Sequence, residues 1–182
     1  MARLEPIEHP RGALLRYAFR LSLKRFGKVI APLRVIYARK PRLLVLAAQI
    51  QRTMEKGLQI SPELRFLLQA QAARLNGCAF CHDITLAEAV RGRIGGDRFA
   101  ALAEFRASPH FSERVRAALG FAEEATLHRA VSDATFATLR AHFSEVEIVE
   151  IAWVNAAENY FNLQAHPLGL ESDGLEALAA RR

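Results

Sequence analysis

Four serines, Ser61, Ser112, Ser132 and Ser144, stand immediately ahead of stretches whose apolar residues recur every three or four positions. That arrangement commits most of the chain to helix. A serine hydroxyl placed there accepts a hydrogen bond from a backbone N–H of the first turn, which otherwise has no partner. Ser61-Pro62-Glu63 adds a proline at the first helical position and an acidic first turn, and Leu64, Leu67, Leu68, Ala72 and Leu75 follow along one side. Ser112 opens a helix through Val115, Leu119 and Phe121, and Ser132 one through Phe136 and Leu139. Ser144 with Glu147 makes a capping box ahead of Ile148, Val149, Ile151, Ala152 and Val154, and Pro167-Leu168-Gly169 ends that run. β-branched residues rarely alternate with polar ones, and no Asn-Gly or Asp-Gly pair separates two strand-like runs. The expected class is all-α. At 182 residues and 51% hydrophobic, the chain can bury one sizeable core as a single compact helical bundle.

Charge divides the chain unevenly. Residues 1–60 hold 13 Lys and Arg against 3 Asp and Glu, and residues 61–182 hold 12 against 16, so a net +10 and a net −4 make up the overall +6. In the basic third, Leu15, Phe19, Leu23 and Phe26 form an apolar stripe at helical spacing beside a stripe of Arg16, Arg20, Lys24 and Lys28. We expect a helix that docks on the body of the protein or on a neighbouring subunit and leaves its basic face in water. Pro32, Pro41 and Pro62 punctuate this half, and Pro41 opens an apolar segment, Leu43 to Ile50, that runs on to Gly57. The expected organisation is a basic N-terminal helical extension over 1–30, a main domain over 31–175 and a tail over 176–182. Without a Gly-rich phosphate loop, zinc finger or aromatic-basic RNA motif, nucleic acid is not an expected partner. No run of 18 apolar residues occurs, so no membrane span is expected.

Both cysteines fall in Cys78-Ala79-Phe80-Cys81, with His82 directly after. Thiols at i and i+3 share one face of a helical turn, close enough for one sulfur to attack an electrophile and the other to displace the adduct as a disulfide. If Asn76 and Gly77 lead into a helix, both thiols feel its positive end, which lowers a thiol pKa from ~8.5 to ~3.5–7.5. His82, four residues after Cys78, would lie one turn above that sulfur and could stabilise its thiolate. Asp83 to Val90 continues the helix as far as Arg91-Gly92, and Gly95-Gly96 marks a loop. Cys-x-x-Cys-His is also the attachment signature of c-type haem, but Met1 to Arg20 lacks the ordered features of an export signal. Zinc needs four ligands, and His9, His110, His128, His142 and His166 are scattered. Neither metal nor cofactor is expected. With two cysteines and no export signal, the expected compartment is the cytosol, where such a pair cycles rather than staples.

The segment Leu75-Asn76-Gly77-Cys78-Ala79-Phe80-Cys81-His82-Asp83, behind Ser61-Pro62-Glu63-Leu64-Arg65, resembles the carboxymuconolactone decarboxylase family, in particular its AhpD-like alkylhydroperoxidase branch. Phe111-Ser112-Glu113-Arg114, Ala117-Ala118-Leu119 and Ala156-Ala157-Glu158-Asn159-Tyr160 extend the similarity over residues 30–175. The resemblance implies an AhpD-like helical fold, assembly into trimers or hexamers, and a thiol couple that reduces hydroperoxides and is recharged by a dithiol or protein reductant. It also implies that the second sulfur, here Cys81, attacks the peroxide, whereas the spacing of His82 points to Cys78. The branch carries a His four residues after the second Cys and a Glu twelve before the first as a proton relay; this chain has Thr85 and Phe66 there. Glu63, one turn earlier, and Thr85 are the remaining relay candidates. The expected function is a cofactor-free thiol peroxidase or disulfide oxidoreductase working through Cys78, Cys81 and His82. The alternatives are a lactone decarboxylase-type enzyme of the same fold and a non-catalytic oligomeric binding protein. A homo-oligomer is expected, in threes by the resemblance or as a dimer through the N-terminal helices.

Overall fold

The computed structural model describes residues 2–94 and 96–181; Met1, Arg182 and Gly95, the first glycine of the expected loop, lie outside them. Among the described residues there are α-helices and no strands: α1 (Ala13–Phe26), α2 (Pro41–Glu55), α3 (Pro62–Leu75), α4 (Ala79–Arg91), the short α5 (Asp97–Ala100), α6 (Glu113–His128), α7 (Asp133–Arg140), α8 (Glu145–Ala165) and α9 (Leu175–Ala180). Each of the four serines caps its helix, accepting from the backbone N–H of Leu64, Val115, Thr135 and Glu147 in turn. The Glu147 carboxylate completes the capping box by accepting from the Ser144 N–H at 3.0 Å. Among the described residues, no helix is long and apolar enough to cross a membrane.

Helix α3 is the axis of the bundle. The one-sided apolar face read from its leucines is only part of the truth, because Gln69, Ala70, Gln71, Ala72 and Ala73 are buried as well. Its alanines let α4, α6 and α8 approach from different sides, so the helix is enclosed all round. It feeds three apolar clusters, through Ala73 on the cysteine side, through Leu64 and Leu68 towards α6, α7 and α8, and through Leu67 and Ala70 towards α5 and α6. Its start is fixed by the buried Glu150 of α8, whose carboxylate accepts from the backbone N–H groups of Gln59 and Ile60 at 2.8–3.0 Å.

Helix α1 docks on this body through Leu15, Phe19 and Ser22, while Arg16, Arg20 and Lys24 stay in water. Leu23, expected on the docked stripe, is 49% exposed. Ser22 takes its place because the hydroxyl donates to the Lys28 carbonyl at 2.8 Å and accepts from the Ile30 N–H at 3.1 Å, tying the helix to the segment that follows. That segment closes a single wide turn of π-helix, Leu33–Tyr37, which turns Tyr37 inward. At the other end, the buried Asp83 of α4 accepts from the N–H groups of Asp173, Leu175 and Glu176 at 2.9–3.0 Å and so caps α9 against α4.

Candidate active site

The last turn of α3 delivers the cysteines. Gly77 sits at φ +65°, its N–H donates to the Arg74 carbonyl and the Cys78 N–H donates to the Ala73 carbonyl, the paired bonds of a Schellman end. A left-handed residue is needed at that point, and glycine adopts it without the steric penalty of a Cβ. Asn76, the residue before, ties the turn to α8 by donating to Asn159 Oδ1 at 2.8 Å and Asn162 Oδ1 at 3.0 Å. The chain then reverses into α4 with Cys78 as its N-cap and Cys81 in its first turn. Both sulfurs therefore meet the unpaired N–H groups and positive end of a helix, which favour thiolate over thiol. The two are joined in a disulfide with their Cα atoms 5.3 Å apart.

Both cysteines are buried, Cys78 at 1% and Cys81 at 3% exposure, and Cys81 lines a cavity of about 320 Å³ between α1, α2, α3, α4 and α8 while Cys78 does not. The walls are mostly apolar, with Leu33, Ile36, Phe80, Ile84 and Phe161 among them. Polar groups gather in two places. Thr85 stands one turn from Cys81 on α4, and Gln69 is bonded to Glu158; Arg25, Glu55, Arg65 and Glu88 form the second group. A volume of this size takes a small organic molecule.

Glu158, not among the residues expected at the site, also lines the cavity. It is 3% exposed, accepts from Gln69 Nε2 at 3.2 Å and from Asn162 Nδ2 at 2.6 Å, and burial lifts its pKa to about 7 against those two stabilising donors. Gln69 Oε1 is buried without a partner; a half-turn of the amide would offer it to a protonated Glu158 as an acceptor. The signal was there: Glu158 follows Ile151 and Val154 at helical spacing on the inward side of α8, where a carboxylate is out of place unless it has work. Burial also raises the Tyr37 hydroxyl well above its ordinary value, so it serves only as a hydrogen-bond group.

The remaining sequence candidates separate. Thr85 is buried and lines the cavity, as does Phe66, so both positions where the AhpD-like branch carries relay groups face the site but hold nothing that titrates near neutrality. Glu63 is not among the lining residues; it pairs with Arg98 at 2.9 Å at the exposed start of α3. His82 lies outside the cavity, with Glu176, Asp83 and Arg74 as its charged neighbours, and among the described residues it makes no side-chain hydrogen bond to either sulfur. Burial lowers its pKa, which keeps the imidazole neutral at pH 7 and removes the imidazolium expected to hold a Cys78 thiolate.

Residues 46–124, from α2 through the cysteine turn into α6, match the sequence model of the carboxymuconolactone decarboxylase family. The likeness to that family covers 79 of the 182 residues and takes in the cysteine pair. The chain is 29% identical to the Escherichia coli K12 protein YnjA over 171 residues, 93% of each chain. The crystal structure of an Agrobacterium tumefaciens protein proposed as the antioxidant defence protein AhpD superposes with a TM-score of 0.71 at 28% identity, over 76% of this chain and 97% of that one. The debrominase Bmp8 superposes with a TM-score of 0.81 at 22% identity, over 96% and 95% of the two chains, a likeness of fold. The chain thus has an AhpD-like fold, with a Cys-x-x-Cys pair at the start of α4.

Proposed function

We propose that this protein is a thiol-dependent oxidoreductase that reduces organic hydroperoxides, with Cys81 as the attacking thiol, Cys78 as the resolving thiol and Glu158 as the proton donor. The observation that carries the reading is which of the pair meets the cavity: Cys81 lines an apolar cavity that also holds a carboxyl titrating near 7, and Cys78 is not among its lining residues. The Cys81 thiolate attacks the outer oxygen of R–O–OH, the O–O bond breaks, and the alkoxide leaves with the proton of Glu158 as R–OH, giving a sulfenic acid. The Cys78 thiol attacks that sulfur; a disulfide forms and water leaves with the Cys78 proton and the sulfenic hydroxyl. An external dithiol then reduces the disulfide by two electrons and becomes a disulfide itself. Glu158 regains its proton from solvent through the cavity. The cytosol, with its reducing thiol pool, suits a couple that must be recharged.

Consumption of an alkyl hydroperoxide with dithiothreitol as reductant tests this. Cys81→Ser should abolish turnover, and Cys78→Ser, reduced and then freed of dithiothreitol, should consume one equivalent of peroxide per chain and then stop. Sustained turnover in both variants removes the thiol mechanism. A second reading uses the same electrons. The debrominase Bmp8 has this fold, and the apolar cavity would accept a halogenated aromatic ring as readily as an alkyl chain. There the thiol pair would replace a carbon–bromine bond by carbon–hydrogen, releasing bromide and leaving the disulfide. Bromide release exceeding hydroperoxide consumption would favour it.

A further inference from the structure

Arg65 stands half-buried in the cavity wall, and its side chain makes no hydrogen bond and no ion pair among the described residues. Its guanidinium lies 4.1 Å over the Phe66 ring. Nearby, Arg25 binds Glu88 through two contacts of 2.9 and 2.7 Å and reaches Glu55 at 3.7 Å, so both carboxylates at this end are already engaged by one arginine and the other is left over. Burial lowers the pKa of Arg65 while Glu55 and Glu88 raise it, which is the signature of a cation short of solvation.

The cavity also has a direction. Cys81 and Glu88 stand on the same face of α4, seven residues apart, which is about 10 Å of helix. Since α3 runs towards the cysteine turn and α4 away from it, Arg65 near the start of α3 lies towards the Glu88 end and Gln69 towards the Cys81 end. The lining residues Leu21, Arg25, Ala48, Gln51 and Glu55 are exposed and mark the mouth, between α1 and α2. This mouth lies in the third of the chain that carries a net +10, with Arg16, Arg20 and Lys24 in water on α1. A field of that sign draws anions to the opening.

We infer that Arg65 is a specificity-determining residue that binds the distal carboxylate of a medium-chain substrate whose reactive group lies at Cys81. The inference rests on the hydroperoxidase reading for its reactive end, while the carboxylate contact stands on its own. The fork of the guanidinium matches a carboxylate, and the apolar walls between the two polar ends match a chain of methylenes.

Two matched pairs of probes test it. Between ω-hydroperoxyoctanoate and octyl hydroperoxide, the wild-type protein should show a KM about tenfold lower for the carboxylate at similar kcat. Arg65→Gln should erase that difference by raising only the KM of the carboxylate, and Arg65→Lys should restore part of it. Octanoate and octanamide read the same contact by calorimetry without turnover: octanoate should bind the wild type more tightly, and the preference should vanish in Arg65→Gln. Equal binding of octanoate and octanamide to the wild type, or an Arg65→Gln variant that keeps the preference, overturns the inference. Absence of turnover with octyl hydroperoxide counts against the hydroperoxidase reading instead, and the calorimetry then decides the role of Arg65.

Discussion

Burial of the Glu158 carboxyl in the cavity that Cys81 also lines, against two amide donors, holds its pKa near 7 where an unfolded chain has about 4.5. The folded protein therefore keeps a proton that the unfolded chain gives up. Stability is full below pH 4.5 and declines as the pH rises through 7. Glu158→Gln, which cannot ionise, should abolish that decline and gain up to about 3 kcal/mol relative to the wild type between pH 5 and pH 8 in urea unfolding. The opposite is expected of activity. Peroxide reduction by the wild type should fall above pH 7 as the donor ionises, and the Gln variant should be slow at every pH. His82→Ala should change the alkylation rate of neither reduced thiol more than about twofold at pH 7, since a neutral imidazole outside the cavity holds no thiolate.

At the scale of the elements, the site depends on how α3 ends and how α9 is held. Gly77→Ala places a Cβ on a residue at φ +65° and should destabilise the protein by about 1 kcal/mol or more, with a slower first attack because Cys78 and Cys81 are displaced together. Asp83→Ala strips three backbone N–H groups of their acceptor at the start of α9; a loss of about 1–3 kcal/mol and faster hydrogen exchange over 172–178 should follow. These elements were legible in the sequence to different degrees. The serine caps, the capping box and the Asn-Gly-Cys turn are local chemistry, and they stand where the residues put them. The all-round burial of α3 was not legible, because alanine and glutamine reveal their neighbours only once α4, α6 and α8 are in place. Glu158 was missed for a related reason: a carboxylate reads as surface until the partners that satisfy it, Gln69 and Asn162, are known.

For the molecule as a whole, we propose α8, rather than the N-terminal helices, as the contact of the expected homo-oligomer. Val146, Val149, Trp153, Ala156, Tyr160 and Leu163 alternate at spacings of three and four along the outward side of this helix, and Val149 and Leu163 are 68% and 60% exposed. That is the period of a seam between two helices, and a second copy of α8 supplies a partner with the same period. Light scattering at micromolar concentration should give an assembly, and Val149→Asp should dissociate it; a monomeric wild type contradicts this. The chemistry expected of the assembled molecule rests on which sulfur meets the substrate. The decisive measurement is mass spectrometry of the Cys78→Ser variant, reduced, treated with one equivalent of an alkyl hydroperoxide and trapped with dimedone, beside Cys81→Ser treated in the same way. A stoichiometric adduct on Cys81 in the first and none on Cys78 in the second is the result expected here, and an adduct on Cys78 with none on Cys81 would contradict it.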